Sequence, residues 1–393
     1  MGNKRNYEGE TVDLYSFSDP KKESGKSPKQ KIRISVNVIA SIFLTISIIG
    51  CIFSSVVLAY WDENPHEIPI LNWFFKPSAF AEEEALEEEG EFEDLVYSAD
   101  ANVSYILVVG VDPQETLTDI IIVACIDHKR KTLNFLQIPR DTYIGDDIPT
   151  SKINAVHGNP RQGEKQINAL RRKITNYFGI PLDHYVKFTV RGFANVIDAL
   201  GGITVNIETP NSAGIDIMNP FTKKHERIGP GVTKLNGYQA VGFVRKRTGV
   251  KDGYVKGDID RIEAQREVYV SLAKKLKSMS SGQMASIAKN CYSEIATDMT
   301  VGEIMGYAEE VQKVDMDKMG IYAVPGQFAT YKRLSMWSPH KDEYIEIFNE
   351  HLNPYGLPIT ADDINMIELH KKIGNATRPS EVEQGGSLTD VKK

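Results

Sequence analysis

The chain has 393 residues, 46 lysines and arginines against 53 acidic residues, 41% hydrophobic and 25% charged side chains. That mix excludes a disordered chain and a polytopic membrane protein, since there is apolar material for a core and abundant surface charge. The net charge of −7 sits in an acidic stretch at 80–100, while the body from 101 onward holds 37 basic against 35 acidic residues and gives no bulk signal for nucleic acid.

Residues 1–33 form a basic tail with eight basic and five acidic side chains. Segment 34–61 then runs for 28 residues without a charge and ends on Tyr60 and Trp61. As a helix it would be about 42 Å long, more than the roughly 30 Å hydrocarbon layer requires. Lys21, Lys22, Lys26, Lys29, Lys31 and Arg33 flank one side, and Asp62, Glu63 and Glu67 the other. The positive-inside rule predicts a single-pass anchor in the cell membrane, with a cytoplasmic N-terminus and residues 62–393 outside. A cleaved signal peptide would have a shorter apolar run and a shorter polar lead. Residues 62–102 read as an acidic linker, a self-repelling spacer rather than a cation site. Three cysteines, Cys51, Cys125 and Cys291, are too few for a disulfide scaffold. Cys125, inside an apolar run, reads as a packed small hydrophobe, and a Cys125–Cys291 pair stays open.

Order is expected over 103–352. Residues 103–111 (VSYILVVGV) read as a strand buried on both faces, followed by strands at 119–127 and 131–139. Residues 163–178 read as an amphipathic helix with Ile167, Leu170, Ile174 and Phe178 on one stripe, ended by Gly179 and Pro181. A strand at 184–190, a short helix stopped by Gly201-Gly202 and a strand at 203–207 follow. Helices are expected at 235–243, 258–279, 282–290, 301–313 and 341–352. The alternation predicts an α/β fold, a mostly apolar central sheet flanked by helices. Residues 353–393 read as a loose tail.

Four groups of residues carry possible chemistry. Asp112 and Asp119 stand at strand ends, where two carboxylates can share a hard cation with phosphate oxygens or simply cap turns. Pro139 stiffens the exit of a strand just before Arg140-Asp141. Val244-Arg245-Lys246-Arg247, if extended, puts Arg245 and Arg247 on one face; the pair either grips an anion or forms a solvated basic edge. Arg261, in the first turn of a helix beginning at Asp258, opposes the helix dipole unless that turn binds an anion, and Gln265 falls on the same face. An Arg261–Asp258 ion pair is the alternative. His157 and His184 have no nucleophile at a suggestive spacing, and the signatures of serine hydrolases, P-loops and zinc proteases are missing from the sequence.

The order of motifs then matters: Leu107-Val108-Val109-Gly110-Val111-Asp112, Thr118-Asp119-Ile120-Ile121, Gln137-Ile138-Pro139-Arg140-Asp141-Thr142, Lys152-Ile153-Asn154-Ala155, Asp183-His184-Tyr185-Val186 and Asp198-Ala199-Leu200-Gly201-Gly202. In this series 103–352 resembles the LytR-CpsA-Psr family. The resemblance implies an extracytoplasmic phosphotransferase of Gram-positive-type envelopes. It would move a glycopolymer, teichoic acid or capsular polysaccharide, from a polyprenyl pyrophosphate carrier onto peptidoglycan. It places pyrophosphate binding on Arg140, Arg245, Arg247, Arg261 and Gln265, Mg²⁺ on Asp112 and Asp119, catalysis on Arg140, Asp119 and Arg261, and the prenyl tail in an apolar pocket of the fold. Leu117 departs from the family, whose members usually carry arginine two positions before the second aspartate. That departure keeps a second reading open, a non-catalytic, membrane-tethered binder of polyprenyl pyrophosphates or envelope regulator.

Overall fold

The computed structural model describes residues 102–384, apart from 211, 248, 250, 251, 253–257 and 383. The basic tail, the anchor and most of the acidic linker lie outside the described residues, within which no helix is long and apolar enough to cross a membrane.

Strands β1 (Val103–Val111), β2 (Thr118–Asp127), β3 (Thr132–Gln137) and β4 (His184–Phe188) form the middle of the main sheet. Two short pairs follow: β5 (Ile203–Ile207) with β8 (Gly231–Leu235), and β6 (Ile215–Met218) with β7 (His225–Ile228). Strands β9 (Ile295–Thr297) and β10 (Met319–Ala323) close the main sheet, in the order β10-β3-β2-β1-β4-β9. Pairing is mixed: β1–β2, β2–β3 and β4–β9 are antiparallel, β1–β4 and β10–β3 parallel. A hairpin of β11 (Gly326–Tyr331) and β12 (Leu334–Pro339) lies outside it.

The sheet is covered on both faces, which explains its unbroken apolar runs. Successive residues of β1 divide between the layers: Tyr105, Leu107, Val109 and Val111 join one core, Ile106 the other. On the first face packs α1 (Gln166–Phe178), whose Ile167, Leu170, Ile174 and Phe178 are buried as its spacing predicts. Gly179 ends it in a left-handed conformation (φ 71°), its N–H bonded to the Thr175 carbonyl. Each such fully buried aliphatic side chain contributes roughly 1.5–3 kcal/mol.

On the second face come α2 (Val190–Ala199), α3 (Gly237–Arg245), α4 (Asp258–Lys277), α5 (Ser281–Cys291) and α6 (Val301–Lys313). Asn236–Gln239, Ser280–Gln283 and Thr300–Glu303 form reciprocal capping boxes that start α3, α5 and α6. Helix α7 (Lys341–Ile347) returns to the first face, where Tyr344 joins the core.

Two expectations change. The described part of the segment expected to be loose is packed from Ile359: Ile359, Ile364 and Met366 belong to the same core as β1, and the Ile367 backbone brackets the Tyr177 hydroxyl. The short helix α8 (Leu369–Lys372) buries His370 against Ser338, 2.7 Å between Nδ1 and Oγ. Isolated apolar residues in a polar stretch anchor this segment one at a time. Helix α3 also continues through Arg245, so the extended reading of 244–247 applies only from Lys246. Cys125 and Cys291 are both buried and free, which closes the pairing question.

Candidate active site

The site is built where β1 turns into β2. Gly110 faces Ile120 and Val111 faces Thr118, so Asp119 occupies a bulge with no partner across the ladder. A bulge re-aims the side chain it carries. The Asp119 carboxylate here projects, 13% exposed, between two guanidiniums: Arg140 Nη1 bonds Oδ1 and Arg245 Nη1 bonds Oδ2. Arg140 reaches it from the end of β3, after Ile138, whose N–H still bonds the Ile121 carbonyl, and the ring of Pro139. Arg245 reaches it from the last turn of α3.

Asp141 extends the cluster. Its carboxylate lies 3.6 Å from Arg140 Nε, 3.1 Å from Lys152 Nζ and 3.9 Å from Arg247 Nη2. Four cations thus surround two carboxylates, an excess of positive charge at one point. Lys246 faces away, its ammonium 2.8 Å from Asp252 and 2.6 Å from the Asp216 carbonyl. Arg245 and Arg247 therefore share a side although the backbone changes from helix to extended between them.

Gln265 is 3% exposed, accepting from Gln137 Nε2 at 2.6 Å and donating to the Val244 carbonyl at 3.3 Å. It braces the end of α3, and so the base of Arg245, rather than standing open at the cluster. Arg261, one turn earlier on α4, is 4% exposed. The side chain of Asp258 lies outside the described residues.

Behind Asp119 and Arg245 a cavity of about 320 Å³ opens between the sheet and α2, α3 and α4. Val108 and Ile122 form its floor, Ile197, Val241 and Val244 a wall, and Ala273 and Leu276 the roof. Apart from the charged mouth, its one titratable group is Tyr269, whose buried hydroxyl has no hydrogen-bond partner among the described residues. Burial pushes that phenol well above its ordinary pKa, so it is a neutral donor. An apolar hollow with Arg245 at one end, beside the cluster of cations around Asp119 and Asp141, suits an amphiphile with an anionic head.

Asp112 is not brought to this mouth. Its Oδ1 accepts the N–H groups of Thr116 and Leu117, both at 2.9 Å, and it lines a second cavity. Leu117 holds the turn through its backbone, with the Asp112 N–H bonded to its carbonyl at 2.8 Å. Sequence reasoning missed Lys152 and Tyr269 as site residues. Lys152 stood in a quoted motif, but only its bridge to Tyr143 aims it at Asp141; nothing in the sequence sets Tyr269 apart from a core aromatic.

Residues 71–353 match the family model described as LytR_cpsA_psr family. The chain belongs to that family. Over 220 residues it is 28% identical to the polyisoprenyl-teichoic acid–peptidoglycan teichoic acid transferase TagU of Bacillus licheniformis, covering 53% of this chain and 65% of the relative. The chain spans between half and about two thirds of the length of such curated relatives. The crystal structure of TagV from B. subtilis superposes with a TM-score of 0.54 at 24% identity, covering 65% of this chain and 99% of that one. TagT bound to LIIa-WTA gives 0.53 at 20%, covering 66% and 93%. The mixed α/β fold is therefore that of LytR_cpsA_psr structures.

Proposed function

We propose that this LytR_cpsA_psr member is a membrane-anchored, extracytoplasmic phosphotransferase that moves a glycopolymer from a polyprenyl pyrophosphate carrier to peptidoglycan. The observation that carries the reading is the apolar cavity lined at its mouth by Asp119 and Arg245, with Arg140 bonded to Asp119. The names of relatives such as TagU and the ligand of TagT support it.

In this reading the prenyl tail fills the hollow and the pyrophosphate enters the mouth. It competes with Asp119 and Asp141 for Arg140, Arg245 and Arg247, and Lys152 supplies a further point charge. These groups neutralise the negative charge that gathers on the departing polyprenyl phosphate. A hydroxyl of a peptidoglycan sugar forms a new P–O bond to the sugar-linked phosphorus as the bond to the bridging oxygen breaks. Its proton passes to a carboxylate at the mouth, for which Asp119 is placed once the pyrophosphate has drawn its arginines away. Mg²⁺ prefers hard oxygen donors, and of the two aspartates that the resemblance assigns to it only Asp119 stands at the mouth. Asp112 is tied into the β1–β2 turn through Oδ1 and lines the neighbouring cavity, so the pair does not converge on one ion. Held at Asp119, Mg²⁺ would supply Lewis-acid charge neutralisation on phosphate oxygens.

The half-buried Leu117, uncharged where the family resemblance leads one to expect arginine, favours one alternative, a binder that retains the lipid without transferring it. The test is the purified full chain given a labelled lipid-linked glycan and peptidoglycan. Label on peptidoglycan supports transfer; retained lipid with no labelled product supports the binder and contradicts the enzyme.

A further inference from the structure

Two cavities meet at the start of α2, where Thr189 and Val190 line both. The first is the apolar hollow. The second, of about 390 Å³, is walled by Asp112 and Glu115 from the β1–β2 turn, Lys187 from β4, Arg191 from α2, Phe221 from the β6–β7 loop and Glu294 beside β9.

Lys187 is the informative residue. It is 8% exposed, and its ammonium lies 3.8 Å from Glu115 Oε2 with no hydrogen bond among the described residues. An ammonium has three donors, and its one neighbouring carboxylate, Glu115 at 3.8 Å, lies beyond hydrogen-bond range, so the group can donate to an acceptor in the cavity it lines. Beside it begin Val190 and Arg191, the first two residues of α2, whose N–H groups have no partner within the helix. The acceptors are fixed as firmly. Asp112 is held by two turn N–H groups, and Glu294 accepts from Asn195 Nδ2 at 2.9 Å. Phe221 adds a ring that is 40% exposed, with Tyr238 edge-on at 5.2 Å and the Arg191 guanidinium 5.6 Å from its centroid.

A simple anion in this cavity would meet three carboxylates, and a simple cation would meet Lys187 and Arg191. A ring with several hydroxyls can donate to the first group and accept from the second, and its C–H face suits an exposed aromatic. We propose that the second cavity is a sugar subsite beside the pyrophosphate mouth, with Lys187, Glu294 and Phe221 as its principal contacts. The assignment rests on the phosphotransferase reading only for the source of the sugar, which is either the acceptor glycan or the first sugar of the donor.

The test uses the full-length protein in detergent with a tetramer of N-acetylglucosamine as probe, followed by saturation-transfer NMR and titration calorimetry. Wild type contacts the probe, and Phe221→Ala and Lys187→Met each weaken it by about tenfold. Phe221 is exposed, so that variant keeps the fold even if Lys187→Met does not, and thermal unfolding checks both. In the transfer assay, a rise in acceptor KM alone assigns the acceptor's sugar, and a rise in donor KM alone assigns the donor's; either upholds the subsite. If wild type transfers nothing yet binds the tetramer through these residues, the phosphotransferase reading fails and the subsite stands. No probe contact in wild type, or affinity and both KM values within about twofold in Phe221→Ala, overturns it.

Discussion

Replacing Arg140 by alanine separates the two duties of the charged mouth. In the resting protein the guanidinium bonds Asp119 and lies 3.6 Å from Asp141. Removal strands neither carboxylate, because Asp119 keeps Arg245 and Asp141 keeps Lys152 at 3.1 Å. The stability loss should therefore be about 1.5–3 kcal/mol, that of a charged hydrogen bond, and not the 3–5 kcal/mol of an abandoned buried charge. For a domain of this size that is a fall in Tm of about 3–12 °C. Transfer should suffer more. One preorganised cation on a reacting phosphate is worth about 10²–10³ in rate, or about 2.7–4 kcal/mol. Arg140→Lys should recover only part of that loss, since an ammonium cannot reproduce the planar fork. The assay is the initial rate of label transfer from a lipid-linked glycan to peptidoglycan, with unfolding followed on the same samples. A rate within about threefold of wild type in Arg140→Ala would refute the role given to this side chain; outright unfolding would refute the claim that its neighbours retain partners.

Ala273, 4% exposed in the roof of the hollow, is the place to fill it: Ala273→Trp should cut co-purifying lipid by about tenfold while changing stability little, because the new ring enters empty space. Unchanged lipid by mass spectrometry would show that the tail lies elsewhere. Gly179 has φ 71°, and a Cβ there would lie 2.9 Å from Ile364 Cγ2; Gly179→Ala should cost about 1–2 kcal/mol in urea unfolding, and no loss would contradict the packing of the C-terminal segment. Burial, with the Lys187 charge adding to it, pushes His157 down to about 4. The unfolded chain takes up that proton near pH 6.5 and the fold only near 4, so this group removes stability as pH falls through that window, by about 3 kcal/mol at most, and is neutral above it. Urea midpoints at pH 7 and 4.5 should converge in His157→Phe relative to wild type; parallel pH slopes for the two proteins would contradict a buried neutral ring.

The centre of the fold was legible because its signals are local and redundant. VSYILVVGV admits little but a doubly covered strand, and the Ile167–Phe178 stripe ends on a glycine that takes the left-handed conformation. The edge strands were not. Strand β9 is three residues long, and β10 (MGIYA) reads as either element, so both are made strands by the neighbour they pair with. The site divides in the same way. Arg140 and Arg245 were singled out by type and position, but their meeting on Asp119 joins segments 21 and 126 residues apart. The bulge that aims Asp119 leaves no mark in its composition. Helix α3 ran two residues beyond the sequence reading because its Asn236 capping box sets the register from the other end. The C-terminal segment was misread because Ile359, Ile364 and Met366 follow no period; each fills a separate gap in a core built by other elements.

Lipid extracted from the purified full-length protein and identified by mass spectrometry asks most directly whether the hollow and its mouth hold one amphiphile. A polyprenyl pyrophosphate species near one per chain, lost in Ala273→Trp and depleted in Arg140→Ala, is the expected result. Bulk membrane phospholipid in the proportions of the host membrane, unchanged by either substitution, would contradict it.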